Sequence, residues 1–336
     1  MPKPRVFLTR RILESGLTLV QDFCEADIWP GELPPNRKEL LRHLPDLDGL
    51  LCLLTDRIDA EMMEAAGPGL KVISNCAVGV DNVDVAAATA QGIPVGNTPG
   101  VLTDATADFA FALLMAAARR VVEGEHQVRS GVWKTWSLDT LLGADFAGAT
   151  LGLVGFGRIG QAVARRATGF GMRIIFSDPH PAVLPNAGTG TTLKSDVEAI
   201  QVDFDTLLRE SDFISLHTPL TKETRGLMNA TAFAKMKPTA VLVNTSRGPV
   251  VDQEALYEAL KSKCIFAAAL DVTVPEPLPI DSPLLTLENC IIVPHIASAS
   301  WQARQKMSRM AAENLIAGLK GEPLANCVNP EVYLND

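Results

Sequence analysis

The sequence predicts an α/β protein built on parallel sheets. Three observations carry that prediction. Short apolar runs alternate with helical stretches along most of the chain, the pattern of strands joined by crossover helices. A length of 336 residues suggests two domains. Near the middle, Thr150–Asp178 reads strand, glycine-rich turn, helix, strand, aspartate.

Taken in order, Arg5–Thr9 is a first strand and a helix follows from about Leu13. Asp48–Leu54, Leu70–Cys76 and Ile93–Val95 are further apolar runs, with helical stretches such as Ala60–Ala66 between them. From Ala105 to about Arg129 the pattern predicts one long helix rich in Ala, Leu and Phe, with Thr103 and Asp104 as N-cap residues. Its Phe109–Ala118 segment is apolar nearly all round and so expected to be buried. Gly131–Ala149 is a loop-rich arm holding Trp133 and Trp136, which either pack the arm or meet a substrate or partner subunit.

Thr150–Val154 is then a buried strand, followed by Gly155-Phe156-Gly157-Arg158-Ile159-Gly160. The first glycine allows the tight turn, the second lets backbone N–H groups approach a pyrophosphate, and the third lets helix and strand pack closely. The helix N-terminus adds its own attraction for phosphate. The next strand ends at Asp178, 18 residues past Gly160, near the spacing for a carboxylate that binds a ribose diol. Such a carboxylate repels a 2′-phosphate, and Pro179–Ala182 supplies no Arg or Lys, so NAD(H) is favoured and NADP(H) is the alternative. His180, if protonated, would soften that preference.

Alternation then resumes: a helix at Thr206–Glu210, strands at Phe213–His217 and Ala240–Asn244, a helix at Glu254–Lys261 and a strand at Ile265–Val272. Four prolines between 275 and 283 mark a loop, Ile291–Val293 is one more strand, and a long helix runs from about Gln302 to Leu319.

Three polar residues stand just beyond strands in this half: Arg247, Glu276 and His295. Ligands of open α/β sheets bind at those strand ends. Hydride transfer to a carbonyl needs such a set. A histidine supplies the proton near neutral pH, a carboxylate holds its tautomer, and an arginine clamps a substrate carboxylate. Each also has a bland alternative: Arg247 as a cap or salt-bridge residue, Glu276 as a solvated loop charge, His295 as a satisfied buried histidine. His217, ending a strand, could line a cofactor cleft.

The bulk numbers narrow the function class. A net charge of −9 argues against a nucleic-acid binder. The apolar run Phe109–Ala118 is too short to span a membrane, and Met1–Arg5 lacks a secretory signal core, so a cytoplasmic protein is expected. Six scattered cysteines without a CxxC pair predict reduced thiols and no metal site.

The chain resembles the D-isomer-specific 2-hydroxyacid dehydrogenases, most of all the glyoxylate/hydroxypyruvate reductases. The resemblance covers nearly the whole chain and rests on Asn75–Asp84, Asn97–Gly100, Thr103–Asp108, Val154–Gly160, Leu216–Thr221, Asn244–Gly248, Ala269–Val272, Glu276–Pro277 and Pro294–Ala299. It implies two Rossmann-like, doubly wound parallel-sheet domains with a cleft between them. Residues 1–101 and 287–336 would form the substrate-binding domain and residues 102–286 the NAD-binding domain. It assigns Arg247 to the substrate carboxylate and carbonyl, His295 to acid/base catalysis, Glu276 to orienting His295, and the Val78–Gly79 backbone to the substrate carboxylate. Thr106, Thr218, Thr245 and Asp271 would help hold the cofactor, Asp271 near the carboxamide. Pro219, beside Thr218, Arg158 and Ile159, inside the glycine motif, and His217 complete the expected cofactor contacts. The implied function is reduction of small 2-oxoacids, glyoxylate and hydroxypyruvate, by a homodimer.

Two departures stand out. Many similar members carry a small or basic residue in place of Asp178 and often prefer NADPH, and the motif here reads His-Ile-Ala-Ser with Ala297 where glycine is commoner. A 3-phosphoglycerate, D-lactate or phosphite dehydrogenase is the alternative within this chemistry. A non-enzymatic NAD-sensing corepressor is the alternative outside it.

Overall fold

The computed structural model describes residues 2–179, 192–194 and 197–334; His180 and the two residues after it lie outside that set. In chain order the elements are β1 (Arg5–Leu8), α1 (Glu14–Phe23), β2 (Glu25–Ile28), α2 (Arg37–His43), β3 (Gly49–Cys52), α3 (Ala60–Ala66), β4 (Val72–Asn75), α4 (Val85–Ala90) and β5 (Val95–Gly96). Then come α5 (Thr103–Ala118), α6 (Val121–Arg129), β6 (Thr150–Val154), α7 (Arg158–Thr168), β7 (Arg173–Ser177), β8 (Thr192–Lys194), β9 (Glu198–Gln201), α8 (Phe204–Glu210) and β10 (Phe213–Leu216). The last are α9 (Ala230–Lys235), β11 (Val241–Asn244), α10 (Gln253–Lys261), β12 (Ala267–Leu270), β13 (Cys290–Ile292) and α11 (Trp301–Leu319).

The chain divides into two compact units. One is Met1–Leu102 with Ala299–Asp336; the other is Thr103–Ser298. The second crossing therefore falls at 299 rather than at the expected 287. The reason is pairing: β13 lies parallel to β12, with Ala268 opposite Cys290 and Leu270 opposite Ile292, so the strand before His295 belongs to the larger sheet.

In the first unit five parallel strands take the order β2-β1-β3-β4-β5. β3 and β4 are buried throughout, as strands covered on both faces must be. Phe7, Leu40, Met62, Met63, Ile73 and Val95 form the core on one face. α1 and α11 pack together and α11 also lies on β3 and β4. Polar N-caps set the helix starts: Asn36 and Glu39 make a reciprocal capping box on α2, and Asp59 caps α3.

The second unit has the sheet order β13-β12-β11-β10-β6-β7-β9-β8, parallel except for the antiparallel edge strand β8. α5 and α7 cover one face around Phe111, Leu114, Phe176 and Phe213, and the other face holds Leu207, Phe233 and Leu256 from α8, α9 and α10. The connection reverses between β6 and β10, and a ligand crevice is expected at the carboxyl ends there.

The long helix expected over 105–129 is two helices. α5 begins at Thr103 itself, so Thr103 and Asp104 sit in its first turn, and the chain breaks at Arg120, whose φ is 53°. The segment after the break is exposed, including Val121, Val128, Trp133, Trp136 and Leu138. Among the described residues no helix is long and apolar enough to cross a membrane.

Candidate active site

Beyond β6 the chain turns at Gly155, whose φ is 91° and where an added side-chain carbon would lie 2.6 Å from the His217 carbonyl oxygen. A carbon at Gly160 would lie 2.3 Å from the Gly155 carbonyl oxygen, so the turn closes tightly on α7. Gly157 differs. It is the N-cap of α7 and a carbon added there meets nothing within 4 Å. The first turn of α7 has no acidic residue, so its positive end faces that open space uncompensated by its own side chains. Arg158 is exposed and Ile159 half-buried at this helix start.

Asp178 follows β7, and one carboxylate oxygen accepts the Phe156 N–H at 2.7 Å. The carboxylate therefore helps shape the glycine turn. His217, at the end of β10, donates its backbone N–H to Val154 at 2.7 Å, and its Nε2 lies 2.8 Å from the Ser215 hydroxyl. Desolvation of the ring pushes its pKa down to about 3, so the imidazole is neutral at physiological pH. Thr218 is half-buried and Pro219 exposed at the same strand end. Thr106 is buried in α5. Thr245, after β11, is 9% exposed and its hydroxyl has no hydrogen-bond partner among the described residues. A buried hydroxyl without a bond calls for an outside partner. With the open Gly157 cradle, it makes these strand ends fit a dinucleotide.

On the same strand ends stand the three chemical candidates. His295 Nδ1 lies 2.8 Å from Glu276 Oε2, with side-chain exposures of 24% and 34%. The other Glu276 oxygen accepts the Thr273 N–H at 3.0 Å. Burial by itself raises the Glu276 carboxyl. The bond to His295 and its charge, the Thr273 N–H and the nearby Arg247 charge outweigh it, and the net shift is downward from 4.5. Arg247 is half-buried, and its guanidinium donates to the Ser246 carbonyl at 2.9 Å.

Asp271 holds the histidine turn. Its two carboxylate oxygens accept the N–H groups of Ile296 at 2.6 Å and Ala297 at 2.8 Å, and its carbonyl accepts the His295 N–H at 2.9 Å. His295 itself has a φ of 52°, a strained conformation for a residue with a side chain, so the turn depends on such bonds. Burial pushes the Asp271 carboxyl above its usual range, against the pull of those two N–H groups. Its expected place near a carboxamide is thus joined by a bond network the motif did not announce.

Other supporting residues also escaped the sequence reading. Asn244, fully buried, donates from Nδ2 to the Arg247 carbonyl at 2.9 Å and accepts from the Ser246 N–H and hydroxyl at 3.0 and 2.7 Å. A carbon added at Gly248 would lie 2.1 Å from the Thr273 carbonyl oxygen, so the Arg247 and Glu276 loops press backbone to backbone. In the first unit, Asn97 and Asn75 bond the carbonyls of Val78 and Gly79, at 2.8 and 3.0 Å. Asparagines at strand ends (Asn75 closes β4, Asn244 closes β11) were the available signal. No cluster of metal-ligating groups occurs among the described residues.

The lowered Glu276 pKa has a testable sign. A carboxyl depressed in the folded state stabilises the protein above its unfolded value of 4.5, and that contribution is lost as pH falls through the lower folded value. The stability gap between the native chain and Glu276→Gln is therefore expected to narrow below pH 4.5. Urea unfolding across that range checks it; a gap independent of pH would contradict the assignment.

Comparison with known proteins identifies the family. Residues 111–297 match the family model described as D-isomer specific 2-hydroxyacid dehydrogenase, NAD binding domain. The chain is 53% identical over 331 residues to a glyoxylate reductase of Korarchaeum cryptofilum, covering 98% of this chain and 97% of that protein. Among solved structures, the TT0316 protein of Thermus thermophilus superposes with a TM-score of 0.88 at 47% identity, covering 96% of this chain and 99% of the other. An NADPH-dependent glyoxylate/hydroxypyruvate reductase of Sinorhizobium meliloti, solved with citrate, gives a TM-score of 0.81 at 30% identity, covering 98% of both chains.

Proposed function

This chain belongs to the D-isomer-specific 2-hydroxyacid dehydrogenase family and is an NAD(P)-dependent oxidoreductase; from that premise we propose that it reduces glyoxylate and hydroxypyruvate to glycolate and D-glycerate, with NADH favoured. The observation that carries the reading is the His295–Glu276 pair at 2.8 Å, set beside the Arg247 loop at the carboxyl ends of β11, β12 and β13.

A nicotinamide cofactor, when held at these strand ends, would supply the hydride. Arg247 binds the substrate carboxylate and polarises the adjacent carbonyl. Glu276 occupies Nδ1 of His295, which leaves Nε2 to deliver the proton as charge develops on the substrate oxygen. Asp271 and the Ile296–Ala297 N–H groups keep that ring in place. The Val78–Gly79 backbone takes the carboxylate role that the resemblance gives it. Gly155, Gly157, Arg158, Ile159 and Gly160 hold the pyrophosphate, Asp178 the adenosine ribose, and Thr106, His217, Thr218, Pro219, Thr245 and Asp271 the rest of the cofactor.

Asp178 supports NADH because its carboxylate at the end of β7 would repel a 2′-phosphate. The NADPH dependence in the name of the Sinorhizobium relative is not carried over. Steady-state oxidation of NADH and NADPH with glyoxylate, hydroxypyruvate, pyruvate and phenylpyruvate tests the whole reading. NADH-linked turnover of the first two is expected, with kcat/KM above that for NADPH by about tenfold or more, the cost of one uncompensated charge contact. An NADPH preference would overturn the Asp178 argument, and no turnover would overturn the substrate assignment.

The exposed Val121–Leu142 segment, with Trp133 at 59% and Trp136 at 75% exposed, supports a homodimer that covers it. Light scattering should then give twice the 36.0 kDa chain mass, and a monomer at all concentrations would refute it. Six free cysteines support a cytoplasmic setting.

A further inference from the structure

β9 lies parallel to β7, with Ile175 opposite Ile200 and Phe176 opposite Gln201. Alternate residues of a strand share a face, and so do paired residues of neighbouring strands. Phe176, with Val197 and Ala199 on and just before β9, belongs to the apolar core under α5 and α7. Gln201 is the next position of β9 on that face. A polar side chain there needs a reason.

The backbone supplies one. The Val202 N–H donates to the Phe176 carbonyl at 2.9 Å. The next bond of that ladder would run from residue 204 to the Asp178 carbonyl. Asp203 is already the N-cap of α8 and Phe204 its first residue, so the chain has left the sheet by then. The Gln201 side chain takes over: its Nε2 donates to the Asp178 carbonyl at 3.0 Å. Asp178 is thereby held twice, its carbonyl by Gln201 and its carboxylate by the Phe156 N–H at 2.7 Å. Phe156 in turn stacks on Phe176, with ring centroids 4.1 Å apart.

Fold stability alone does not account for this amide. Its Oε1 is buried without a hydrogen-bond partner among the described residues. Flipping the amide would set that oxygen against the Asp178 carbonyl, acceptor on acceptor. A leucine would remove the unsatisfied oxygen and continue the apolar face. What a leucine cannot do is fix the main chain of Asp178.

We propose that Gln201 is a positioning residue for cofactor choice, holding the Asp178 main chain so that the carboxylate meets the adenosine ribose diol. The inference rests on the proposed NADH preference and extends it, because part of that preference then resides in a side chain bonded to Asp178 rather than to the cofactor.

NADH and NADPH are titrated by fluorescence against the native chain, Gln201→Leu, Asp178→Ala and the double variant, each with its urea unfolding midpoint. Gln201→Leu is expected to weaken NADH by about three- to tenfold, the scale of one hydrogen bond, and to change NADPH by less than about twofold. Its unfolding midpoint should not fall. In the Asp178→Ala background the same substitution should change NADH by less than about twofold, since the residue through which it acts is gone. Gln201→Met repeats the test if the leucine variant does not fold. Equal NADH losses in the two backgrounds overturn the proposal, and so does native NADH affinity in Gln201→Leu. A parallel loss of both cofactors with a lowered midpoint also overturns it, because the amide then serves only the fold. If Asp178→Ala keeps the native ratio of NADH to NADPH affinity, the Asp178 reading fails and the proposal falls with it. If Asp178→Ala loses the preference while Gln201→Leu keeps it, the proposal alone fails.

Discussion

His295→Ala is expected to lower kcat by about two to four orders of magnitude while NADH binding stays at the native level. The size follows from the role: without the imidazole, the proton for the developing alkoxide comes from water, unpositioned and at the wrong pKa. The selectivity for kcat follows from the geometry. The His295 side chain contacts Glu276, and the glycine turn and Asp178 lie on other strands and bond to each other instead. The turn that carries residue 295 is held by backbone bonds to Asp271, which the substitution leaves in place. Alanine adopts a φ of 52° less readily than histidine, so an unfolding midpoint measured beside the kinetics separates any loss of turn stability from the loss of the proton donor. Single-turnover rates with glyoxylate, set beside NADH fluorescence titration, separate the two effects. Near-native turnover would remove His295 from the chemistry.

Much of this site was legible in the chain because the relevant residues answer to local sterics. A strand that is buried on both faces must be an apolar run, as Thr150–Val154 is, and a dinucleotide turn must place glycines where a side chain would collide. Arg247, Glu276 and His295 stood out because each is polar and follows such a run. What escaped was set by partners distant in sequence. β2 is a half-exposed edge strand, with no apolar run to mark it. The alanine-rich pattern of α5 continues past its end, and the break shows in the left-handed backbone at Arg120. Whether β13 belongs to one unit or the other depends on its pairing with β12, some twenty residues upstream, and no local pattern encodes that register. Asp271 shows the same limit at the level of one residue. Resemblance pointed to a cofactor contact, while the bonds from its carboxylate to Ile296 and Ala297 exist because the loop after β13 folds back over the end of β12.

Arg247→Ala is expected to reduce kcat/KM for 2-oxoacids by about two to four orders of magnitude, the loss of two charge-assisted hydrogen bonds at roughly 1.5–3 kcal/mol each. Arg247→Lys should recover only part of that loss, because an ammonium keeps the charge but not the planar pair of donors that matches a carboxylate. The loop should survive both changes. Its conformation is held through the Arg247 carbonyl, which accepts from Asn244 Nδ2 and from the Val250 N–H, and through the backbone contact of Gly248 with Thr273. The side chain can therefore be replaced without removing those supports. Both variants should bind NADH as the native chain does, and their loss of kcat/KM should shrink for a substrate analogue whose carboxylate is replaced by a neutral amide. If alanine and lysine variants keep native kcat/KM, Arg247 is a loop residue and the substrate carboxylate is held elsewhere. If they lose NADH binding to the same degree as turnover, the guanidinium supports the fold of the cofactor site, and the clamp must be sought among the backbone N–H groups of Val78 and Gly79.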